Sequence, residues 1–137
     1  MKIILIVGLP GSGKSYLANL LAKDDENSVI IDDISDTAQL PKLANLLIIT
    51  DVNFCQDSVR DLAIHILNKI YPHVSIEWVF FENNSAACRL NVAHRNDGRY
   101  VEGTIRRFEN EYHIPRGYSP VGIWQPGYMA RPLLRHF

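Results

Sequence analysis

Two periods of hydrophobic patterning alternate along this chain. Short apolar runs stand at Ile3–Val7, Val29–Ile31, Leu46–Thr50 and Ser75–Phe81, the length and composition of strands, and the unbroken ones suit strands covered on both faces. Between them the spacing becomes helical. Lys14–Lys23 carries Leu17, Leu20 and Leu21 on one face, and Asp57–Ile70 carries Val59, Leu62, Ala63, Ile66, Leu67 and Ile70 at helical intervals. Asn83, Asn84 and Ser85 supply caps for a helix towards Arg95; Asn96-Asp97-Gly98 marks a turn, and Val101–Tyr112 reads as another helix. Ile34–Asn45 is weakly helical and interrupted by Pro41; past Pro115 the chain is rich in Gly, Pro and aromatics, with at most one short strand near Val121–Trp124. Strand and helix in alternation predict an α/β fold, a three-layer αβα sandwich around a parallel sheet of four to five strands.

The first strand runs into Gly8-Leu9-Pro10-Gly11-Ser12-Gly13-Lys14-Ser15, a full match to the P-loop pattern, between the strand and helix that the motif requires. Glycines let the backbone wrap around phosphate and turn its N–H groups inward, and the following helix adds its N-terminal dipole. Gly8, Pro10, Gly11, Ser12, Gly13, Lys14 and Ser15 are therefore the expected ATP-binding residues. Lys14 would reach the β- and γ-phosphates and the Ser15 hydroxyl would hold Mg²⁺.

In a parallel sheet, ligands bind beyond the carboxyl ends of the strands. Asp32 and Asp33 follow the second strand and Asp51 the third, so three carboxylates converge on the P-loop edge. One can accept a proton from an acceptor hydroxyl and another can hold Mg²⁺. Asp51 ends an apolar run in the Walker B manner and is the expected metal partner beside Ser15.

At 137 residues one domain is expected over 1–137, with a net charge of −1 that gives no reason to expect nucleic-acid or membrane binding. The charge is uneven, however: residues 1–84 carry 6 Lys/Arg against 11 Asp/Glu, and 85–137 carry 8 Arg against 4 acids. Arginine suits bidentate phosphate contact. Arg89, Arg95 and Arg99 fall on a segment, about 85–100, placed to close as a lid over phosphates. Cys55 and Cys88 lack neighbours at metal-ligand spacing and read as reduced and buried. No stretch is long enough to span a bilayer, and the opening apolar run is too short for a signal peptide, so a cytoplasmic protein is expected. Trp78 reads as core and His65 as structural; Tyr100, Tyr112 and His113 have no evident partner.

A guanine-specific GTPase would need Asn/Thr-Lys-x-Asp, but Asn68-Lys69-Ile70-Tyr71 puts Tyr where Asp belongs; a ring ATPase would need a longer chain and an acidic pair where Asp51 is followed by Val52. Residues 1–115 instead resemble the kinase domain of phage polynucleotide 5′-hydroxyl kinase and its small P-loop relatives. The resemblance rests on the P-loop at 8–15, Asp32-Asp33, Thr50-Asp51-Val52-Asn53, and the Arg-containing lid at 89–99. It implies an ATP-dependent transfer of phosphate to a hydroxyl. Asp32 is then the general base, Asp33, Asp51 and Asn53 stand on the acceptor side, and Arg95 or Arg89 is the lid arginine at the transition state. Two features depart from the family: Ser35 stands where it has an arginine that grips an acceptor phosphate, and the segment between Asp33 and the third strand is short. The tail at 115–137, with Tyr118, Trp124 and Tyr128, has no counterpart in it and suits a cover for the sheet edge or a base-stacking surface.

The acceptor expected is a hydroxyl on a nucleic acid, either a 5′-end or a hydroxymethylated base, or on a nucleotide or nucleoside. A nucleotide-binding switch without a small acceptor, or a small-metabolite kinase, would fit the same motifs. Oligomeric state is left open by the sequence.

Overall fold

The computed structural model describes residues 1–95 and 101–123. Its strands are β1 (Lys2–Val7), β2 (Ser28–Asp32), β3 (Leu46–Thr50) and β4 (Ser75–Phe80), all parallel and ordered β2-β3-β1-β4. The helices are α1 (Lys14–Ala22), α2 (Asp57–Ile70), α3 (Ser85–Arg95) and α4 (Glu102–Phe108). The two central strands are the continuous apolar runs: β3 is buried throughout and β1 from Ile3 onward, whereas edge strand β2 leaves Ile30 exposed. Parallel strands covered on both faces require this composition.

Successive β1 residues point to opposite faces, which divides the core in two. Ile3, Leu5 and Val7 pack with Phe54, Leu67, Phe108 and Tyr112 on one side. Ile4 and Ile6 pack with Leu17 and Ala18 of α1, and with Val121, on the other. The described residues thus form an α/β sandwich on a four-stranded parallel sheet.

Three elements differ from the sequence expectation. The weak helix over Ile34–Asn45 is a single 3-10 turn, Thr37–Gln39, capped by Asp36 and Gln39; so short a segment, broken by Pro41, cannot propagate an α-helix. The helix over Val101–Tyr112 narrows to α4, and the fifth strand to one bridge, Phe81 to Val121; Trp124 lies outside the described residues. The buried side of α2 is also rotated. Leu62 and Ile70 are exposed, while Arg60 is buried with Leu67, because its guanidinium donates to Phe54 O at 2.7 Å, pairs with Asp57 and lies 5.3 Å from the Phe80 ring centre.

Trp78 packs between Phe54 and Phe80, as a core residue should. His65 is exposed on α2. The Tyr112 hydroxyl donates to Phe81 O, and His113 O accepts a 3.4 Å bond from Arg60. Among the described residues no helix is long and apolar enough to cross a membrane.

Candidate active site

β1 delivers the chain into a tight loop where Ser12 N–H donates to Leu9 O at 3.1 Å. Gly11 and Gly13 have φ of +84° and +108°, left-handed backbone that glycine reaches without strain. At Gly11 a side chain is also excluded by packing, since a Cβ would stand 2.5 Å from Cys88 O. α1 then begins with Leu17 N–H donating to Gly13 O at 2.9 Å. No side chain caps this helix and its first turn holds no acid, so its leading N–H groups and dipole are left for an anionic ligand.

The loop floors a cleft of about 530 Å³, lined by Pro10, Gly11, Gly13, Lys14 and Ser15. Gly8 and Ser12 support the loop from below instead: the Ser12 hydroxyl is buried against Gly8, where a Cβ would come within 2.4 Å of it. The Lys14 ammonium donates to Gly8 O at 2.9 Å and Leu9 O at 3.0 Å, folded back over its own loop. Burial pushes it below the ordinary lysine value, opposed by the field of neighbouring groups that include Asp32 and Asp33.

The sheet order sets what flanks the loop. β1 lies between β3 and β4, so the carboxyl ends of β2 and β3 border one side and α3, which follows β4, the other. On the first flank Asp32 and Asp33 line the cleft. Asp32 closes β2 and accepts a 2.6 Å hydrogen bond from the buried Thr50 hydroxyl, while Asp33, at φ +57°, donates its N–H to Thr50 O at 2.8 Å. On the second flank stand Asn91, His94 and Arg95. Asn91 Nδ2 donates to Gly11 O at 2.8 Å and so ties α3 to the loop.

The other candidates sit elsewhere. Asp51 is 5% exposed and does not line the cleft; its Oδ1 accepts from Asn53 N–H and caps the 3-10 turn Val52–Cys55. Burial raises its carboxyl above the ordinary value, helped by the negative field of Asp33 and Asp32. Asn53 is exposed, away from the cleft, with its N–H committed to that cap. Arg89 does not line the cleft. Its guanidinium makes two bonds to Glu102, at 2.7 and 2.8 Å, and one to Glu109 at 3.1 Å, joining α3 to α4. Arg99, Tyr100, Trp124 and Tyr128 lie outside the described residues.

Thr50 and Asn91 were missed from the sequence. Asn91 precedes Arg95 by four residues and so shares its helix face, a signal that was available. Thr50 is legible only once β2 and β3 are in register, which pairs it with Asp32.

The donor set suits a nucleoside triphosphate. Among the described residues no three acidic, His or Cys side chains gather to hold a metal unaided.

No family model matches the chain. A solved structure with the same architecture is a gluconokinase from Sinorhizobium meliloti 1021: TM-score 0.65, 18% identity, covering 98% of this chain and 90% of that one. At that identity the likeness shows the fold alone, a parallel α/β sandwich. An uncharacterized protein of Acanthamoeba polyphaga mimivirus is 33% identical over 120 residues, spanning 82% of this chain and 87% of its own length. On that similarity the chain belongs to the same protein family as this mimivirus protein.

Proposed function

We propose that the chain is an ATP-dependent phosphotransferase that moves the γ-phosphoryl group of ATP to an acceptor hydroxyl. One observation carries this reading: the P-loop and the Asp32 carboxylate face a single cleft, with Arg95 on its opposite flank. A triphosphate in the loop and a hydroxyl beside Asp32 would meet there. Asp32 takes the hydroxyl proton as the oxygen attacks the γ-phosphorus; the bond to the β,γ-bridging oxygen breaks and ADP leaves. Lys14, the loop N–H groups and Arg95 offset the charge on the transferring group. Mg²⁺ bound with the triphosphate would neutralise its oxygens, with Ser15 as the cleft side chain that would hold it.

The acceptor classes are a hydroxyl of a nucleic acid, nucleotide or nucleoside. Position 35 favours some of these over others. Ser35 N–H (2.8 Å), the Ser35 hydroxyl (3.3 Å) and Asp36 N–H (3.0 Å) all donate to Gln39 Oε1. The turn after Asp33 therefore commits its donors internally and offers no cation there for an acceptor phosphate. That favours a hydroxymethylated base or a nucleoside over a 5′-end gripped through this position.

The test is transfer from γ-labelled ATP across nucleic-acid ends, modified-base DNA, nucleosides, nucleotides and small alcohols. Label is expected on one class. Lys14→Ala should abolish transfer, and Asp32→Asn should abolish it while ATP binding persists. An active Asp32→Asn enzyme would overturn the base assignment. Free phosphate unstimulated by any acceptor would replace the reading with a nucleotide-binding switch.

A further inference from the structure

We infer that Thr50 is the positioning residue for the general base, holding one oxygen of Asp32 so that the other faces the acceptor. This rests on the phosphotransferase reading and adds to it a residue outside the P-loop and the acidic strand ends.

Thr50 is the last residue of β3 and the register partner of Asp32, the last residue of β2. Paired residues on neighbouring strands project to the same face, so the two side chains are brought together by backbone pairing alone. The Thr50 hydroxyl donates to Asp32 Oδ1 at 2.6 Å. Thr50 has no solvent exposure, whereas Asp32 is exposed to the cleft. The bond therefore links a fixed anchor to a carboxylate that would otherwise rotate about its side-chain bonds. Threonine, branched at Cβ, is itself restricted in rotamer, so its hydroxyl direction is set by the strand.

Thr50 acts on the neighbouring acid too. Its carbonyl oxygen accepts the Asp33 N–H at 2.8 Å, holding the chain where it turns into left-handed backbone at φ +57°. One residue of buried β3 thus holds the Asp32 carboxylate and the Asp33 backbone. A base must be directed at its proton within hydrogen-bond reach. With Oδ1 spent on Thr50, Oδ2 is the oxygen left for that task.

A hydrogen bond to a charged group that acts only in orienting the base should appear in kcat and leave ATP binding alone. Removing it with Thr50→Val should lower kcat about 10- to 100-fold, with the KM for ATP within about two-fold of wild type. Thr50→Ser, which keeps the donor, should recover most of the loss. Should the valine protein fail to fold, judged by circular dichroism, Thr50→Ala against Thr50→Ser makes the same comparison. Full kcat in the variant without a hydroxyl, a loss confined to the KM for ATP, or a folded serine variant as impaired as valine would each overturn the assignment. These outcomes need an active wild type. A wild-type protein that transfers to no acceptor sinks the phosphotransferase reading itself, and Thr50's part in it goes too.

Discussion

At the scale of single residues, Gly11 is where the loop after β1 and helix α3 meet. Its carbonyl accepts from Asn91, its φ is +84°, and the space a Cβ would need is occupied by Cys88 O at 2.5 Å and Val92 Cγ2 at 2.9 Å. Gly11→Ala meets two penalties together, left-handed strain and a clash with backbone that cannot swing aside. Each costs about 1–3 kcal/mol in typical cases. The expected loss is at least ~2 kcal/mol of unfolding free energy by urea titration, accompanied by weaker ATP binding. Unchanged stability would mean that α3 moves away from the loop at little cost. The loop itself was legible in the sequence because everything it needs is local: glycines at fixed offsets, then Lys and Ser at a helix start. Thr50 was not, because its partner is 18 residues away and only strand register joins them.

At the scale of elements, the α3–α4 pair depends on Arg89. The sequence pattern puts this arginine on a lid segment and assigns it to phosphate; in the structure it pairs with Glu102 and Glu109, at the two ends of a helix whose approach the pattern does not specify. Each group is roughly a third exposed or less, so the bridge is partly screened and acts as a brace for two short helices. Arg89→Ala should speed amide hydrogen exchange across α3 and α4 several-fold and raise the KM for ATP, since Asn91, His94 and Arg95 ride on the same helix. Equal exchange in both proteins would show the brace to be idle. The bridge also carries a pH signature. The bonds to Arg89 hold the Glu102 carboxyl below its ordinary 4.5, and Ser85 and then Arg89 do so for Glu109. For carboxyls depressed in the folded state, the stabilisation is complete above the ordinary value and fades as pH falls below it. Protection factors in the wild type, which factor out the pH dependence of intrinsic exchange, should therefore fall towards those of Arg89→Ala on acidification below about pH 4.5.

At the scale of the whole molecule, the question is whether loop, sheet and α3 open as one unit. Two thiols report on it from different places. Cys55 sits in the 3-10 turn after β3 and Cys88 on α3, both with no exposure and both in the core cluster that Leu9 and Tyr112 share. Burial pushes the Cys55 thiol up to about 12 and the Cys88 thiol up to about 11, and the thiolate is the reactive form. In the native protein at pH 8 neither should react with a thiol reagent except through unfolding. A single cooperative unit predicts one labelling rate for both, and the same slowing of both by ATP-Mg. If only the folded state binds nucleotide, ligand at 100 times its Kd slows global opening about 100-fold. An α3 that opens alone would expose Cys88 faster than Cys55 and would leave Cys55 as the sole reporter of the global event. The α3 helix is tied to the loop through Asn91 and carries Cys88 into the same core as Cys55, so equal rates are the expected result. Mass spectrometry of partially labelled protein separates the two sites.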